Sequence, residues 1–122
     1  MTRLGFTGSR QGMTTAQVRT VRDILKRASV LHHGGAQGAD RTVAAMAHAQ
    51  RIAAVLHRPT GHRAEDYLRR NHDIVDATDE LVAAPAGYVE EPRSGTWATV
   101  RYARQCGRFI TIVWPDGTIG PG

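Results

Sequence analysis

Short apolar runs that alternate with longer stretches of helical periodicity, each run closed by glycine or polar residues, constrain this chain most. The runs are Leu4–Thr7, Val30–His32, Ile52–His57, Leu81–Ala84 and Phe109–Trp114. Between them, Thr14 followed by Gln17 has the form of a capping box, opening a helix whose apolar face is Val18, Val21, Leu25 and Ala28. Asp40 reads as the N-cap of a second helix with Val43, Met46 and Ala47 on its buried face. A third helix runs from Ala64 to Asp76, with Tyr67, Asn71, Ile74 and Val75 on one face, and Gly95-Thr96 opens a fourth. Residues 85–94 form the longest loop, and the residues after Pro115-Asp116-Gly117 read as a short tail. Strands alternating with helices over short connections predict a three-layer α/β fold: a doubly wound, Rossmann-like domain around a parallel five-stranded sheet of order 3-2-1-4-5. At 122 residues the chain fits one domain, residues 1–122.

The formal net charge of +5 and isoelectric point near 10.3 direct attention to an anionic partner. Fifteen of the 16 basic residues are arginine, the better bidentate ligand for phosphate. They are spread along the chain, unlike the basic arm of a nucleic-acid-binding protein. No apolar run approaches the roughly 18–20 residues of a membrane span, and the N-terminus lacks the pattern of a secretory signal. The lone cysteine, Cys106, cannot build a disulfide framework, which suits a reducing, cytoplasmic setting.

In open α/β sheets ligands bind beyond the carboxyl ends of the strands, where the strand order reverses. Three glycine-rich turns converge at that edge: Gly8-Ser9-Arg10, the GGAQGAD segment with Gly34, Gly35, Gly38 and Asp40, and Ser94-Gly95-Thr96. Glycine lets backbone approach a ligand, and the free N–H groups of a helix start face an anion. The hydroxyls of Ser9, Ser94 and Thr96 and the guanidinium of Arg10 add donors. Neither a P-loop nor a GxGxxG fingerprint is present, so the phosphate cradle is of another kind.

GFTGSR, GGAQGAD, Arg70-Asn71 and Gly95-Thr96 together resemble the superfamily that joins DprA-type DNA-processing proteins to Lonely-Guy-type phosphoribohydrolases. Within this SLOG superfamily the chain most resembles the small YpsA-like, Rossmann-fold nucleotide-binding branch, over about residues 4 to 114. The resemblance implies a nucleotide or nucleotide-derived ligand, and self-association into a homo-oligomer. It also implies that Arg70 and Asn71 belong to the ligand site. Arg70 matches an arginine that, with a glutamate in PGGxGTxxE, carries catalysis in the phosphoribohydrolases. Here the tight PGG turn is replaced by residues 85–94, and Thr99 stands where that glutamate is expected. A threonine supplies no carboxylate to stabilise an oxocarbenium-like centre or direct a water. Glu90 and Glu91 in the replacement loop read as solvated loop charges, and either is the candidate acid for a rearranged hydrolase.

The leading expectation is a sensor or sequestering protein for a nucleotide-like small molecule, with no cofactor and no metal. The alternatives are an N-glycoside hydrolase with a rearranged acid and a single-stranded DNA binder, the latter disfavoured by only seven aromatic residues with no stacking ladder. His32, His33 and His57 fall at the presumed ligand edge, where a hydrogen-bonded histidine lining the pocket is expected in preference to a metal site. Trp97 is read as core, Tyr88 as a loop residue able to contact ligand, and Cys106 as a packing residue.

Overall fold

The structure is a computed structural model that describes all 122 residues. In chain order it comprises β1 (Thr2–Gly8), α1 (Thr15–Leu25), β2 (Ala28–His33), α2 (Ala39–Ala49), β3 (Ala53–Leu56), α3 (Ala64–Asp76), β4 (Glu80–Ala84), α4 (Gly95–Gln105), β5 (Phe109–Val113) and β6 (Ile119–Pro121). The sheet order is β3-β2-β1-β4-β5-β6, with all pairings parallel except β5–β6. Right-handed crossovers from β1 out to β3 place α1 and α2 on one face. The return through β4 to β5 places α3 and α4 on the other.

Alternation along the strands divides the core accordingly. Leu4, Phe6, Leu31, Val82, Ala84 and Val113 pack with Val21, Ile24 and Leu25 of α1 and with Val43, Met46 and Ala47 of α2. Leu81, Ala83 and Ile112 pack on the opposite side with Val75 of α3 and Trp97, Val100 and Ala103 of α4. All five residues of β4 are buried, as befits a central strand covered on both faces. No helix is long and apolar enough to cross a membrane.

The five-stranded, wholly parallel sheet expected from sequence is corrected by β6, which lies antiparallel on β5 with Ile112 opposite Gly120 and Val113 opposite Ile119. Pro115-Asp116-Gly117 is therefore a hairpin turn and not the start of a tail. The Asp116 carboxylate accepts from the Thr118 N–H at 3.0 Å and its hydroxyl at 2.6 Å, and Gly117 takes φ +84°. Gly120 and Gly122 let the returning strand lie against Trp114 and Ile110, where a Cβ at either position would approach within 2.7 Å and 2.3 Å. Pro121 is tolerated because β6 is an edge strand.

The capping box of α1 is present: Gln17 N–H donates to Thr14 Oγ1 at 3.0 Å and Thr14 N–H to Gln17 Oε1 at 2.9 Å. Ala28, expected on the face of α1, instead begins β2. Asp40 is not the N-cap of α2. Gly38 holds that position, and Asp40, two residues on in the first turn, is buried and reaches back to the preceding loop.

Candidate functional site

A cavity of about 230 Å³ opens at the carboxyl ends of β1 and β4, where the strand order reverses. Gly8, Ser9, Arg10 and Gln11 line it from β1, Ala86, Gly87 and Glu91 from the 85–94 segment, and Ser94, Thr96 and Trp97 from the start of α4. A larger concavity of about 530 Å³ lies over the β5–β6 edge, but no helix N-terminus opens into it.

The cavity floor is built by close packing of two turns. Ser9 carbonyl accepts from Gly12 N–H at 3.1 Å and Ala39 N–H at 3.0 Å, stitching the β1 turn to the start of α2. A Cβ on Gly8 would come within 2.6 Å of the Ala39 side chain, and one on Gly38 within 2.3 Å of Arg10 carbonyl. These two glycines thus have a packing reason to be glycine, whatever binds above them. The opposite wall is the start of α4. Ser94 caps it by accepting from Trp97 N–H at 3.3 Å, while the N–H groups of Gly95 and Thr96 find no partner within the chain. Thr96 Oγ1 likewise makes no hydrogen bond in the chain, and its residue lines the cavity. Thr96, with its free N–H and hydroxyl, and Arg10 line one small space together with Glu91, and their donors can hold a phosphate there.

The carboxylates divide sharply. Glu90 is clamped by Arg101 at 3.1 Å and Arg104 at 2.9 Å, and these hydrogen bonds hold its carboxyl below the usual range. Glu91 lines the cavity. Thr99 is almost wholly buried and donates its hydroxyl to Gly95 carbonyl at 2.9 Å, so it supports the helix start and presents nothing to the cavity.

No residue of GGAQGAD lines the cavity directly: Gly38 and Ala39 pack beneath the β1 turn, and Gly34, Gly35 and Asp40 form a second cluster beside it. Asp40 accepts from Gly34 N–H at 3.0 Å, and Arg70 Nη1 donates to Gly34 carbonyl at 2.8 Å, so one glycine is held from both sides. A Cβ on Gly34 would lie 2.6 Å from the Arg70 guanidinium. Burial raises the carboxyl pKa of Asp40, against its bonds to the Gly34 and Ala36 N–H groups and the charge of Arg70. Arg70 is itself buried, and its Nε donates to Asn71 Oδ1 at 2.8 Å. Asn71 thus orients Arg70. Tyr67, one turn earlier, is shared by the two arginines: the guanidinium carbons of Arg10 and Arg70 stand 6.0 Å and 5.8 Å from its ring centre.

The histidines line this second cluster and not the cavity, correcting their expected place in the pocket. His32 Nδ1 and His57 Nε2 share a hydrogen bond of 2.7 Å, and no three metal-ligating side chains come together. His33 Nδ1 accepts from Gly35 N–H at 3.0 Å, which requires that nitrogen to carry no proton. Burial is the main force holding His32, His33 and His57 below the ordinary histidine value of 6.5. The charges of neighbouring Arg70 and the other histidines add to it for His33, while Asp73 opposes it at His57. The sign for stability follows directly. Below about pH 6.5 the unfolded chain takes up protons that the folded chain resists, so stability falls as the solution is acidified. The urea midpoint is expected to drop between about pH 7.5 and pH 5.5. A midpoint independent of pH over that range contradicts these assignments.

Trp97 is buried in the core as expected, with its ring 6.0 Å from that of Trp114. Tyr88 stacks on Trp114 from the exposed loop at 6.1 Å. Gln17 was legible only as a capping residue. Its amide also donates to Pro85 and Val113 carbonyls, both at 2.9 Å, fixing the strand ends behind the cavity.

No protein-family model and no curated protein matches the sequence. Among solved structures, the chain is similar to DNA processing protein A (DprA) from Streptococcus pneumoniae, with a TM-score of 0.74 and 17% identity over 90% of this chain. It is also similar to DNA processing protein A from Helicobacter pylori, in a structure described for its single-stranded DNA binding mode, with a TM-score of 0.72 and 15% identity over 90% of this chain. The chain spans 49% and 64% of those two proteins. At these identities the likeness is one of architecture: the chain has the Rossmann-like fold that DprA proteins contain.

Proposed function

We propose that this domain binds a nucleotide or nucleotide-derived ligand by its phosphate, as a sensor or sequestering protein of the YpsA-like kind. The observation that carries this is the switch-point cavity, lined by the Gly8-Ser9-Arg10 turn on one side and on the other by Ser94 and Thr96 at the start of α4, where the first N–H groups of the helix are unpaired. Its volume of about 230 Å³ is below that of sites that enclose whole drug-sized molecules, usually ~300 Å³ or more. It suits a phosphate with part of its sugar, leaving the base outside. Ser9, Arg10, Ser94, Gly95 and Thr96 are the phosphate ligands. Gly8 and Gly38 shape the floor, while Gly34, Gly35, Asp40, Arg70 and Asn71 form the adjoining wall.

A second reading, single-stranded DNA binding, is favoured by the Helicobacter pylori neighbour and by the net charge of +5. Both ligands present phosphate to the same cavity, and calorimetric titration separates them. A nucleotide binder takes up nucleoside monophosphates, with affinity reduced by Thr96→Val, which removes the free hydroxyl. A strand binder ignores mononucleotides and binds oligodeoxythymidylate with affinity that falls steeply as salt rises. Absence of heat and of thermal stabilisation with every phosphate ligand overturns both. Release of free base from a monophosphate, abolished by Glu91→Gln, would instead establish hydrolysis.

A further inference from the structure

Arg70 is a buried cation with no anion of its own. Its residue retains 9% exposure, yet none of the seven ion pairs in the structure includes it. Asp40, the nearest acidic influence, spends its carboxylate on the Gly34 and Ala36 N–H groups. Arg70 satisfies Nη1 and Nε on Gly34 carbonyl, on His57 carbonyl at 3.4 Å and on Asn71. Its Nη2 donates to nothing in the chain, and it keeps solvent access, since no buried side-chain nitrogen lacks a partner.

A second unpaired cation stands beside it. Arg10 makes no ion pair and no side-chain hydrogen bond, lines the switch-point cavity, and shares the Tyr67 ring with Arg70. Two guanidinium groups brought to one ring repel each other: burial is the main force against the charged form of Arg70, Asp40 opposes it, and Arg10 adds to it. The arrangement is relieved by an anion placed between them.

The geometry points to a ligand with two adjacent phosphates, a nucleoside diphosphate group, whose first phosphate sits at the start of α4 and whose second lies between Arg10 and Arg70 beside Tyr67. This rests on the nucleotide-binding reading above and names the ligand class for that site. Arg10 belongs to both positions, so the two phosphates have to lie within reach of one guanidinium. A P–O–P linkage meets that requirement, whereas successive phosphates of a strand are separated by a whole sugar.

The test is calorimetric titration at fixed ionic strength with AMP, ADP and the dinucleotide pdTpdT. ADP is expected to bind about tenfold tighter than AMP or more, and Arg10→Gln to shrink that ratio to under about threefold. Arg70→Gln should do the same. Because Arg70 also holds Gly34, the exposed Arg10 variant carries the test if Arg70→Gln fails to fold. AMP and ADP binding equally well would overturn this inference while leaving the nucleotide reading intact. A ratio unchanged in Arg10→Gln, or a gain seen with pdTpdT and not with ADP, would also overturn it. If no phosphate compound binds, both readings fall together.

Discussion

Gly38→Ala is expected to destabilise the fold by about 3 kcal/mol or more, a large share of the ~5–15 kcal/mol that holds a domain together. Two penalties coincide there. Gly38 takes φ +88° with ψ −124°, a region closed to residues with a Cβ, so alanine is strained before any neighbour is considered. The added Cβ would then stand 2.3 Å from Arg10 carbonyl and 2.7 Å from Ser9 carbonyl, the latter bonded to the Gly12 and Ala39 N–H groups. Neither contact can be relieved by turning a side chain. Gly12 separates the two effects: it takes φ +99°, but its Cβ would meet nothing within 4 Å. Gly12→Ala should cost only the backbone term, about 1–2 kcal/mol. Urea denaturation of both variants measures the difference, and equal losses would show that the packing of one turn on the other contributes nothing.

Gln17→Glu is expected to be comparably damaging, at about 3 kcal/mol or more near neutral pH. The Gln17 amide is almost fully buried, and its nitrogen donates to the carbonyls of Pro85 and Val113. A carboxylate would place an oxygen, with no proton to give, against two carbonyl oxygens in a site without a counter-charge. Protonation restores one donor, so burial raises the folded-state pKa of the new carboxyl above its ordinary value of about 4.3. The sign is therefore opposite to that of the histidines: the penalty is full at neutral pH and shrinks as pH falls through the raised value. Gln17→Met keeps the volume without the charge and should lose only about 1–3 kcal/mol, with no such recovery in acid. Denaturation midpoints of the two variants at pH 7.5 and pH 5 check this, and a Gln17→Glu deficit that does not narrow in acid counts against the bonding described.

Regular periodicity was the most legible part of the chain. The helix expected from Ala64 to Asp76 has those bounds, and the capping box of Thr14 and Gln17 forms as its spacing implies. Both depend on neighbours within a turn, so sequence carries them. The sixth strand was missed because Ile119-Gly120-Pro121 has neither length nor alternation. What makes it a strand is the hairpin turn before it and the room that Gly120 leaves for Trp114. Asp40 was misread because an acidic residue after glycine suits a cap equally well. Only the approach of Gly34, six residues back, decides that its carboxylate turns inward. The three turns converge on one edge of the sheet, but sequence spacing could not reveal that they divide into a cavity and a separate wall around Arg70. That division depends on how α3 crosses the sheet.

The same packing of turn on turn separates what the fold can change from what it cannot. Ser9, Arg10, Gly38 and Ala39 are committed to one another, so an altered residue there costs stability before it alters any preference for a ligand. Residues 86–89 carry no such obligation: Gly87 has open space around its Cβ and Tyr88 and Val89 are exposed, while the Glu90 clamp and the Pro92 carbonyl, which accepts from Arg101, anchor the rest of the segment to α4. Lengthening a loop of this kind costs little, roughly 0.6 kcal/mol for each doubling. Variants with exchanged or extended 86–89 segments, Glu90 and Glu91 kept, would therefore leave the Gly8–Arg10 turn and the start of α4 in place while the rim of the cavity is rewritten. A library confined to those four positions is the economical route to redirecting this domain toward a new nucleotide.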